Sequence, residues 1–233
     1  MTTPTLPVDV GPFPPTATEP RWVRPVVVVA AVLALLLVGA TGGLLLGGAR
    51  TSVPAADSVD VGFAQDMGVH HQQAVEMAAW ERDHTTDPDL LQLSYDIEST
   101  QTGQNGRMQG WLELWEAASL PIGGHMAWMA DAPGHDHSSA DPVTNSLPVM
   151  PGMASSADLA ALRAATGPAL DLLFLQLMLR HHEGGAEMLS YAAQHAAVPQ
   201  VRNLAAQMLS SQSAESRYLR ELLAARGGTP LPI

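Results

Sequence analysis

Cysteine is absent from the 233 residues of the sequence. Without a thiol, the chain cannot form disulfides, thiolate metal sites or cysteine nucleophiles. Lysine is absent as well, and the 11 basic residues are scattered arginines in a chain whose net charge is -12. A nucleic-acid-binding face needs clustered positive charge, so that class of partner is excluded. The sequence also lacks the G-x-S-x-G, P-loop and dinucleotide-binding motifs of common enzyme classes.

A long uncharged run stands near the N-terminus. The proline-rich residues 1–24 before it are predicted to be a disordered cytoplasmic tail. Residues 25–49 would span roughly 36 Å as a helix, which is enough to cross the hydrocarbon core of a membrane. We therefore predict a single-pass transmembrane helix, with a signal peptide cleaved near Val53–Ala55 as the alternative. Arg21 and Arg24 precede the run, which favours an inside N-terminus and places the C-terminal domain outside the cytoplasm.

Three glycines in this run recur at every fourth position: Gly39, Gly43 and Gly47. That spacing lets two membrane helices approach closely and predicts a homodimer through the anchor. The alternative is that these residues reflect only the general frequency of glycine in membrane helices.

Beyond the run, the hydrophobic pattern is helical almost throughout and predicts an all-α protein. Proline at the first helical position marks several helix starts. Two helical hairpins joined by a crossover make a four-helix bundle over residues 57–226. The crossover, residues 119–167, loses the helical period except for a short helix after Ser156. The four long helices are predicted at 57–83, 88–118, 168–197 and 199–226.

Two segments of the chain repeat the same motif. The sequence FAQDMGVHHQQAVEM begins at Phe63, and FLQLMLRHHEGGAEM begins 111 residues later at Phe174. Each places a methionine three residues before a His-His pair and a Glu-Met pair five residues after it. The repeat predicts a duplicated hairpin with pseudo-twofold symmetry. Since both copies descend from one ancestral motif, they are not two independent indications of a metal site.

Helical spacing gathers the repeated residues on one face of each helix. Histidine and methionine alternate every seven residues along that face, which forms an inward seam. Met67 lies one turn before His70 and His71, so their Cβ atoms are ~5–6 Å apart. Glu76 points to roughly the opposite side of the helix and is predicted to be solvated or ion-paired. The first and third long helices of the bundle are expected to bring the unit Met67, His70 and His71 opposite the unit Met178, His181 and His182.

Thioether and imidazole groups together favour Cu(I), and histidine also tolerates Cu(II), whereas zinc more often recruits cysteine or carboxylate. Four adjacent imidazoles in a bundle interior are costly to hold without a partner, so a metal role is predicted for the Met-x-x-His-His units. Core packing is the better interpretation of Met77, Met108, Met188 and Met208. The candidate metal ligands along the two seams are Met67, His70, His71, Met77, His84, Met178, His181, His182, Met188 and His195.

These residues resemble a known family. The two D-x-x-F-x-x-x-M-x-x-H-H segments, with I-x-x-x-Q-x-x-Q-N-x-x-M-x-x-W-L at Ile97–Leu112, resemble domain-of-unknown-function family 305. This ferritin-like four-helix family includes periplasmic copper-binding proteins of the CopM type. The resemblance covers roughly Asp57–Leu223 and implies copper or silver binding through Met and His in a bacterial envelope protein. One departure is Gly184–Gly185, which replaces the Gln73–Ala74 pair of the first copy and is expected to loosen the helix.

The crossover contains further soft donors in a stretch with no obvious packing role. A flexible loop of this composition could capture ions and pass them to the bundle. The alternative is that its methionines cap the end of the bundle. The residues concerned are His125, Met126, Met129, His135, His137, Met150 and Met153.

Two rival functions come from other classes. A di-iron oxidase needs a Glu-x-x-His motif on each of two helices, but only Glu81 and His84 fit, and Ala192 stands in the place of the second glutamate. We therefore predict a protein that is not an enzyme. The second rival is a metal-free envelope interaction module, which a soluble domain that takes up no copper would favour.

Overall fold

The computed structural model describes residues 20–47, 53–129 and 147–233. Within these ranges the regular structure is helical, apart from an isolated antiparallel bridge between His125 and Leu147. The predicted all-α class, with an apolar N-terminal helix ahead of a four-helix bundle, is confirmed. The helices are α1 (Val23–Gly47), α2 (Val59–His84), α3 (Pro88–Leu114), α4 (Ser156–Ala164), α5 (Pro168–His195) and α6 (Pro199–Ala225), with a 3-10 turn at Ala127–Met129.

Helix α1 belongs to one compact unit, and residues Val53–Ile233 form a second. The segment Val23–Gly43 of α1 is long and apolar enough to cross a membrane by length and composition, and none of it is buried. A Cβ atom added at Gly39 or Gly43 would meet no other atom within 4 Å. The glycine face of α1 is therefore open to a neighbouring helix, and Gly47 is the last residue of α1.

The long helices of the bundle begin at capping side chains or at first-turn prolines. The side chain of Ser58 accepts a hydrogen bond from the backbone N–H of Val61 at the start of α2. Asp87 caps α3, and prolines open α3, α5 and α6. Helix α3 ends at Leu114, four residues before the predicted end. The chain turns there because Glu116 has a φ of 53°, a left-handed conformation that a sequence without glycine does not signal.

Helices α2 and α5 pack antiparallel to each other, and this contact holds the two hairpins together. Near the start of α2, Asp60 accepts hydrogen bonds from the backbone N–H groups of Ala197 and Val198, just beyond the end of α5. Near the start of α5, Asp171 accepts a hydrogen bond from the Thr85 hydroxyl, just beyond the end of α2. Asp60 and Asp171 are equivalent in the repeat, so these contacts express the pseudo-twofold symmetry.

The bundle has two apolar core clusters. Cluster one combines the first half of α2 with the second half of α5 and contains Phe63 and Met67. Cluster two combines the second half of α2 with the first half of α5 and contains Met77 and Phe174. The repeated His-His pairs lie between the two clusters along both helices. The core therefore has a polar middle with apolar packing on both sides.

Candidate metal centre

Four histidines from α2 and α5 form a histidine cluster in the middle of the bundle. Each is at most 1% exposed: His70, His71, His181 and His182. The rings of His70 and His181 have centroids 3.7 Å apart, and those of His181 and His182 have centroids 6.4 Å apart. The antiparallel packing of two copies of one motif brings the four rings together, as the sequence predicts.

Burial favours the neutral form of three of these imidazoles. Burial, followed by the nearby His71, lowers the pKa of His70 to about 3. Burial also lowers the pKa of His71 to about 4, against a smaller opposing effect of its hydrogen bond to Gln104. The pKa of His181 lies well below its ordinary value because of burial and its histidine neighbours. At neutral pH His70, His71 and His181 therefore offer nitrogen lone pairs rather than positive charge.

The second histidine of each pair has an equivalent hydrogen-bond partner. The Nε2 atom of His71 lies 2.8 Å from Oε1 of Gln104, and that of His182 lies 2.8 Å from Oε2 of Glu215. Both oxygens accept hydrogen bonds, so each Nε2 carries a proton, and Nδ1 of the neutral His71 keeps its lone pair. Neither Nδ1 atom has a hydrogen-bond partner, although both are buried.

Other polar atoms of this layer are also without partners. They include Nε2 of His181, both amide atoms of Gln101 and Oε1 of its repeat equivalent Gln212. Buried polar atoms without partners are rare in proteins because each costs free energy. A soft metal ion would accept lone pairs from the imidazoles and remove part of that cost. The residues present therefore fit a copper or silver ion.

The described part of the chain contains no group of three or more histidine, aspartate or glutamate side chains in an arrangement that holds a metal ion. Sulfur ligands from methionine lie outside that set. A metal held by the histidine cluster would thus need a thioether, or a rotation of the imidazoles, to complete its coordination.

The candidate methionines of the two units are buried on opposite sides of the histidine cluster. Met67 belongs to cluster one, and Met178 belongs to cluster two. The expectation that these two residues lie opposite each other is wrong, because α2 and α5 are antiparallel. Across the bundle, Met67 shares its cluster with Met188, and Met178 shares its cluster with Met77. Each thioether stays one helical turn from the histidine pair of its own helix.

The last histidines of the two seams lie far from this cluster. His84 and His195 are exposed at the C-terminal ends of α2 and α5. The His84 ring stacks on Trp80 at a centroid distance of 3.9 Å, and the His195 ring packs on Tyr191 at 4.3 Å. His84 is 14 residues from His70, which is about 21 Å along a helix. The structure does not bring these two candidates to the other histidines.

The first part of the crossover is fixed to α2 by a buried carboxylate. Asp66 accepts hydrogen bonds from Nδ1 of His125, the backbone N–H of Met126 and Nε1 of Trp128, each at 2.7 Å. The Trp128 ring then packs against Gly62, where a Cβ atom would lie 2.4 Å from the ring. This network holds the crossover on the end of the bundle.

The second part of the crossover, residues Met150–Ala154, forms a strap over the histidine cluster. Gln73 holds the strap from α2 with two hydrogen bonds to the backbone of Ala154. The carbonyl oxygen of Pro151 lies 3.3 Å from Nε2 of His70. On the α5 side, the strap lies so close to Gly184 that a Cβ atom there would stand 2.5 Å from backbone atoms of Gly152.

The strap explains the glycine pair that interrupts the second copy of the motif. Helix α5 continues unbroken through Gly184 and Gly185, so the expected loosening of the helix is not observed. Gly184 admits the strap, and Gly185 leaves room for the His70 ring, which would lie 3.0 Å from an added Cβ atom.

The methionines of the crossover are packing residues in the structure. Met126, Met129 and Met150 are at most 2% exposed and belong to cluster one, and Met153 packs against it. The expectation that this stretch has no packing role is therefore wrong, because it covers one end of the bundle. The structure agrees with the alternative that these methionines cap the end of the bundle, which the sequence leaves open because irregular backbone has no period that separates buried from exposed positions. His135 and His137 lie outside the described residues.

Two carboxylates of α2 behave differently. Glu76 is half-exposed and paired with Arg163, as predicted for a residue on the outer side of the helix. Glu81 is fully buried beside Asp171, and burial followed by that carboxylate raises its pKa to about 8. Glu81 thus faces the interior, whereas His84 of the same Glu-x-x-His motif is exposed.

The hydrogen-bond partners of His71 and His182 are not among the residues predicted from the sequence. Gln104 and Glu215 are separated by the same offset of 111 that relates the His-His pairs. A search for polar residues at this offset would have found them. Gln73 and Asp66 hold the crossover, and no local pattern marks them as anchors.

The chain is similar to a known family and to several solved structures. The profile of the family described as "Domain of unknown function (DUF305)" matches residues 60–223. Among curated proteins, none matches the chain. A crystal structure of a DUF305 protein from Streptomyces coelicolor, described as secreted, is 39% identical with a TM-score of 0.67. The match covers 77% of this chain and 100% of that one.

Two further structures are similar over most of the bundle. A DUF305 fragment from Deinococcus radiodurans is 28% identical with a TM-score of 0.56, over 72% of this chain and 96% of that one. CopM in its Cu(II)-bound form is 22% identical with a TM-score of 0.51, over 71% of this chain and 97% of that one. At this identity, the likeness to CopM shows the shared fold.

Proposed function

This chain belongs to the DUF305 family, and from that premise we propose that it is a membrane-anchored, extracytoplasmic protein that binds copper through methionine and histidine. It would serve copper sequestration or trafficking. The observation that carries the proposal is the buried histidine cluster, in which Nδ1 of His71, Nδ1 of His182 and Nε2 of His181 have no partners. Neutral imidazoles with free lone pairs are suited to soft metal ions.

The proposed ligands form two units that meet where the rings of His70 and His181 pack against each other. Each unit adds its own thioether, Met67 on α2 or Met178 on α5. One sulfur with one or two nitrogens suits Cu(I), which accepts low coordination numbers and soft donors. The structures of CopM with bound Cu(II) and Cu(I) support copper as the ion. Silver is a further ion of the same softness.

The remaining candidates have weaker support as ligands. Met77 and Met188 fill the two core clusters, and the Nδ1 atoms of His84 and His125 already hydrogen-bond to protein oxygens. His195 is exposed and packs on Tyr191. We assign these residues to packing and to the helix ends.

The membrane location rests on α1. Its apolar length fits a bilayer, its side chains are exposed, and the arginines before it favour an inside N-terminus. The relative described as secreted agrees with a bundle outside the cytoplasm. Protease added to intact spheroplasts should remove the bundle, and complete protection would contradict this topology. The open face at Gly39 and Gly43 supports the dimer predicted from the spacing of Gly39, Gly43 and Gly47, which cross-linking within the membrane tests.

The copper proposal is tested on the full-length chain in detergent. The purified protein is incubated with copper under reducing and under oxidising conditions, and its metal content and copper X-ray absorption are measured. We expect bound Cu(I) with sulfur and nitrogen neighbours. A chain that takes up no copper in either condition would favour the metal-free interaction module. That alternative is favoured by one observation, which is that the described ranges contain no preformed metal site of three or more histidine, aspartate or glutamate side chains.

A further inference from the structure

The equivalent histidines His71 and His182 have hydrogen-bond partners of different charge in the two halves of the bundle. The proton on Nε2 of His71 is donated to the neutral amide oxygen of Gln104, at 2.8 Å. The proton on Nε2 of His182 is donated to the carboxylate of Glu215, also at 2.8 Å. The geometry is the same in both halves, so the charge of the partner is the difference between them.

The surface outside each histidine repeats this contrast. A groove of about 270 Å³ between α5 and α6 is lined by His182 together with charged side chains, including Glu183, Arg217 and Arg220. The positions 111 residues earlier are Gln72, Gly106 and Gln109, none of which carries a charge. The half that contains His71 is therefore neutral where the half that contains His182 is charged.

Of the two carboxylates nearest to His182 in this half, Glu215 is the one that hydrogen-bonds to the histidine cluster. Glu183 is paired with Arg220 at the surface. Glu215 contacts His182, whose side chain is fully buried, and Glu215 itself is 28% exposed. A negative charge thus reaches the buried cluster through one hydrogen bond.

A carboxylate behind an imidazole makes the opposite ring nitrogen a stronger donor and stabilises extra positive charge on a metal bound there. A neutral amide fixes the same ring without that charge. Cu(II) carries one more positive charge than Cu(I), so the carboxylate favours the oxidised ion.

We propose that Glu215 makes the His182 half of the histidine cluster select Cu(II), while Gln104 leaves the His71 half selective for Cu(I). This inference rests on the proposed copper function and adds an oxidation-state preference to each half. Glu215 and Gln104 are positioning residues, since each would act on the ion through a histidine. Their exchange should therefore change the relative affinity for the two ions rather than abolish binding.

The experiment uses the full-length chain in detergent and three variants: Glu215→Gln, Gln104→Glu and Glu183→Gln. Affinities for Cu(I) and Cu(II) are measured separately by competition with chromophoric chelators of each ion, and circular dichroism checks the fold. Losing an outer-shell partner typically costs 10- to 100-fold in metal affinity.

We expect Glu215→Gln to weaken Cu(II) binding about tenfold and to change Cu(I) binding by less than about threefold. A tenfold loss of Cu(II) affinity at unchanged Cu(I) affinity corresponds to a rise of about 59 mV in the reduction potential of the bound copper. Gln104→Glu should strengthen Cu(II) binding by a similar factor. Glu183→Gln removes a carboxylate that lines the groove and is paired with Arg220 rather than with His182, and it should leave both affinities unchanged.

Several results would overturn the inference. One is that Glu215→Gln weakens the binding of both ions equally, or of neither. Another is that Glu183→Gln produces the same selective loss of Cu(II) affinity. If Glu215→Gln fails to fold, a Gln104→Glu variant that gains no Cu(II) affinity is sufficient to reject it. In each case a wild-type chain that binds copper leaves the proposed function standing. A wild-type chain that binds neither ion contradicts both the proposed function and this inference.

Discussion

The imidazole rings of His70 and His181 pack against each other with centroids 3.7 Å apart and planes inclined by 38°. The two residues hold the same position in the two copies of the repeat, so the pseudo-twofold axis of the bundle passes between them. Such close packing is compatible with neutral rings, and burial keeps both pKa values well below the ordinary value of 6.5. The symmetry of the duplication therefore places neutral nitrogen donors at the centre of the bundle.

The first prediction concerns stability in acid. The imidazole of His70 has a folded-state pKa of about 3, below its unfolded value of 6.5, so the unfolded chain binds the proton first as the pH falls. The stability that this group contributes is fully present above pH 6.5 and is lost progressively as the pH falls towards 3. Each such imidazole should add about 1.4 kcal/mol per pH unit to the slope in this window. Denaturant unfolding of the metal-free chain between pH 7 and 4 measures it.

The control for this titration is an exposed histidine. His84→Asn is the matched control, because it removes a histidine that is exposed at a helix end rather than buried in the histidine cluster. His181→Asn should flatten the slope. Equal slopes in the wild type and in His181→Asn would show that the buried rings do not titrate as described.

The second prediction concerns stability in base. Glu81 is neutral in the folded chain at pH 7, because burial and then the neighbouring Asp171 raise its pKa from 4.5 to about 8. Its contribution to stability is fully present below pH 4.5 and is lost as the pH rises through 8. Glu81→Gln keeps the shape without the charge, so at pH 9 its thermal midpoint should exceed that of the wild type by roughly 2–8 °C. Calorimetry at pH 5 and 9 measures the difference.

Glu76→Gln is the matched control, because Glu76 lies on the same helix but is half-exposed and paired with Arg163. Its thermal midpoint should differ little from that of the wild type at both pH values. If Glu81→Gln gave the same difference at pH 5 as at pH 9, a buried proton on Glu81 would be ruled out.

The third prediction concerns the strap over the histidine cluster. In Gly184→Ala the new methyl group would stand 2.5 Å from backbone atoms of Gly152, so the strap must move. We expect a loss of roughly 1–3 kcal/mol in the free energy of unfolding. Gly103→Ala is the matched change in α3, where nothing lies within 4 Å, and it should gain roughly 0.5–1 kcal/mol. A Gly184→Ala variant as stable as Gly103→Ala would contradict the packing of the strap.

The fourth prediction separates sulfur from packing. Met67→Leu and Met178→Leu keep approximate side-chain volume and remove the thioethers, so Cu(I) affinity should fall more than Cu(II) affinity. The loss of a direct ligand should cost at least as much as the roughly 10- to 100-fold loss for an outer-shell partner. Chelator competition measures both affinities. Met108→Leu removes a buried methionine of cluster one that lies outside the two units. An equal effect of that control would show that the sulfurs act only through packing.

The sequence predicted those features of the bundle that depend on local chemistry. Prolines at the first helical position mark the starts of α3, α5 and α6, and helical spacing places His70 and His71 inside. The features that were predicted wrongly depend on contacts between distant segments. The separation of Met67 from Met178 follows from the antiparallel direction of two helices, which no local pattern fixes.

The crossover gives a second example of this limit. The burial of Met126 and Met150 depends on Asp66 and Gln73, which lie some sixty to eighty residues away along the chain. Gly184 looked like a weakness in the helix, yet it is the place where the strap approaches most closely. In the same way, the partners Gln104 and Glu215 are visible only when the two copies are compared position by position.

The central claim is that the buried histidine cluster binds the copper. The most direct measurement is the Cu(I) affinity of the full-length chain compared with two double variants, His71→Ala/His182→Ala inside the bundle and His84→Ala/His195→Ala at the helix ends. The account predicts that the inner pair weakens binding by at least about a hundredfold while circular dichroism stays helical, and that the outer pair changes it by less than about threefold. If the inner pair can be removed with the affinity unchanged, or if the outer pair causes the larger loss, the histidine cluster is not the copper site.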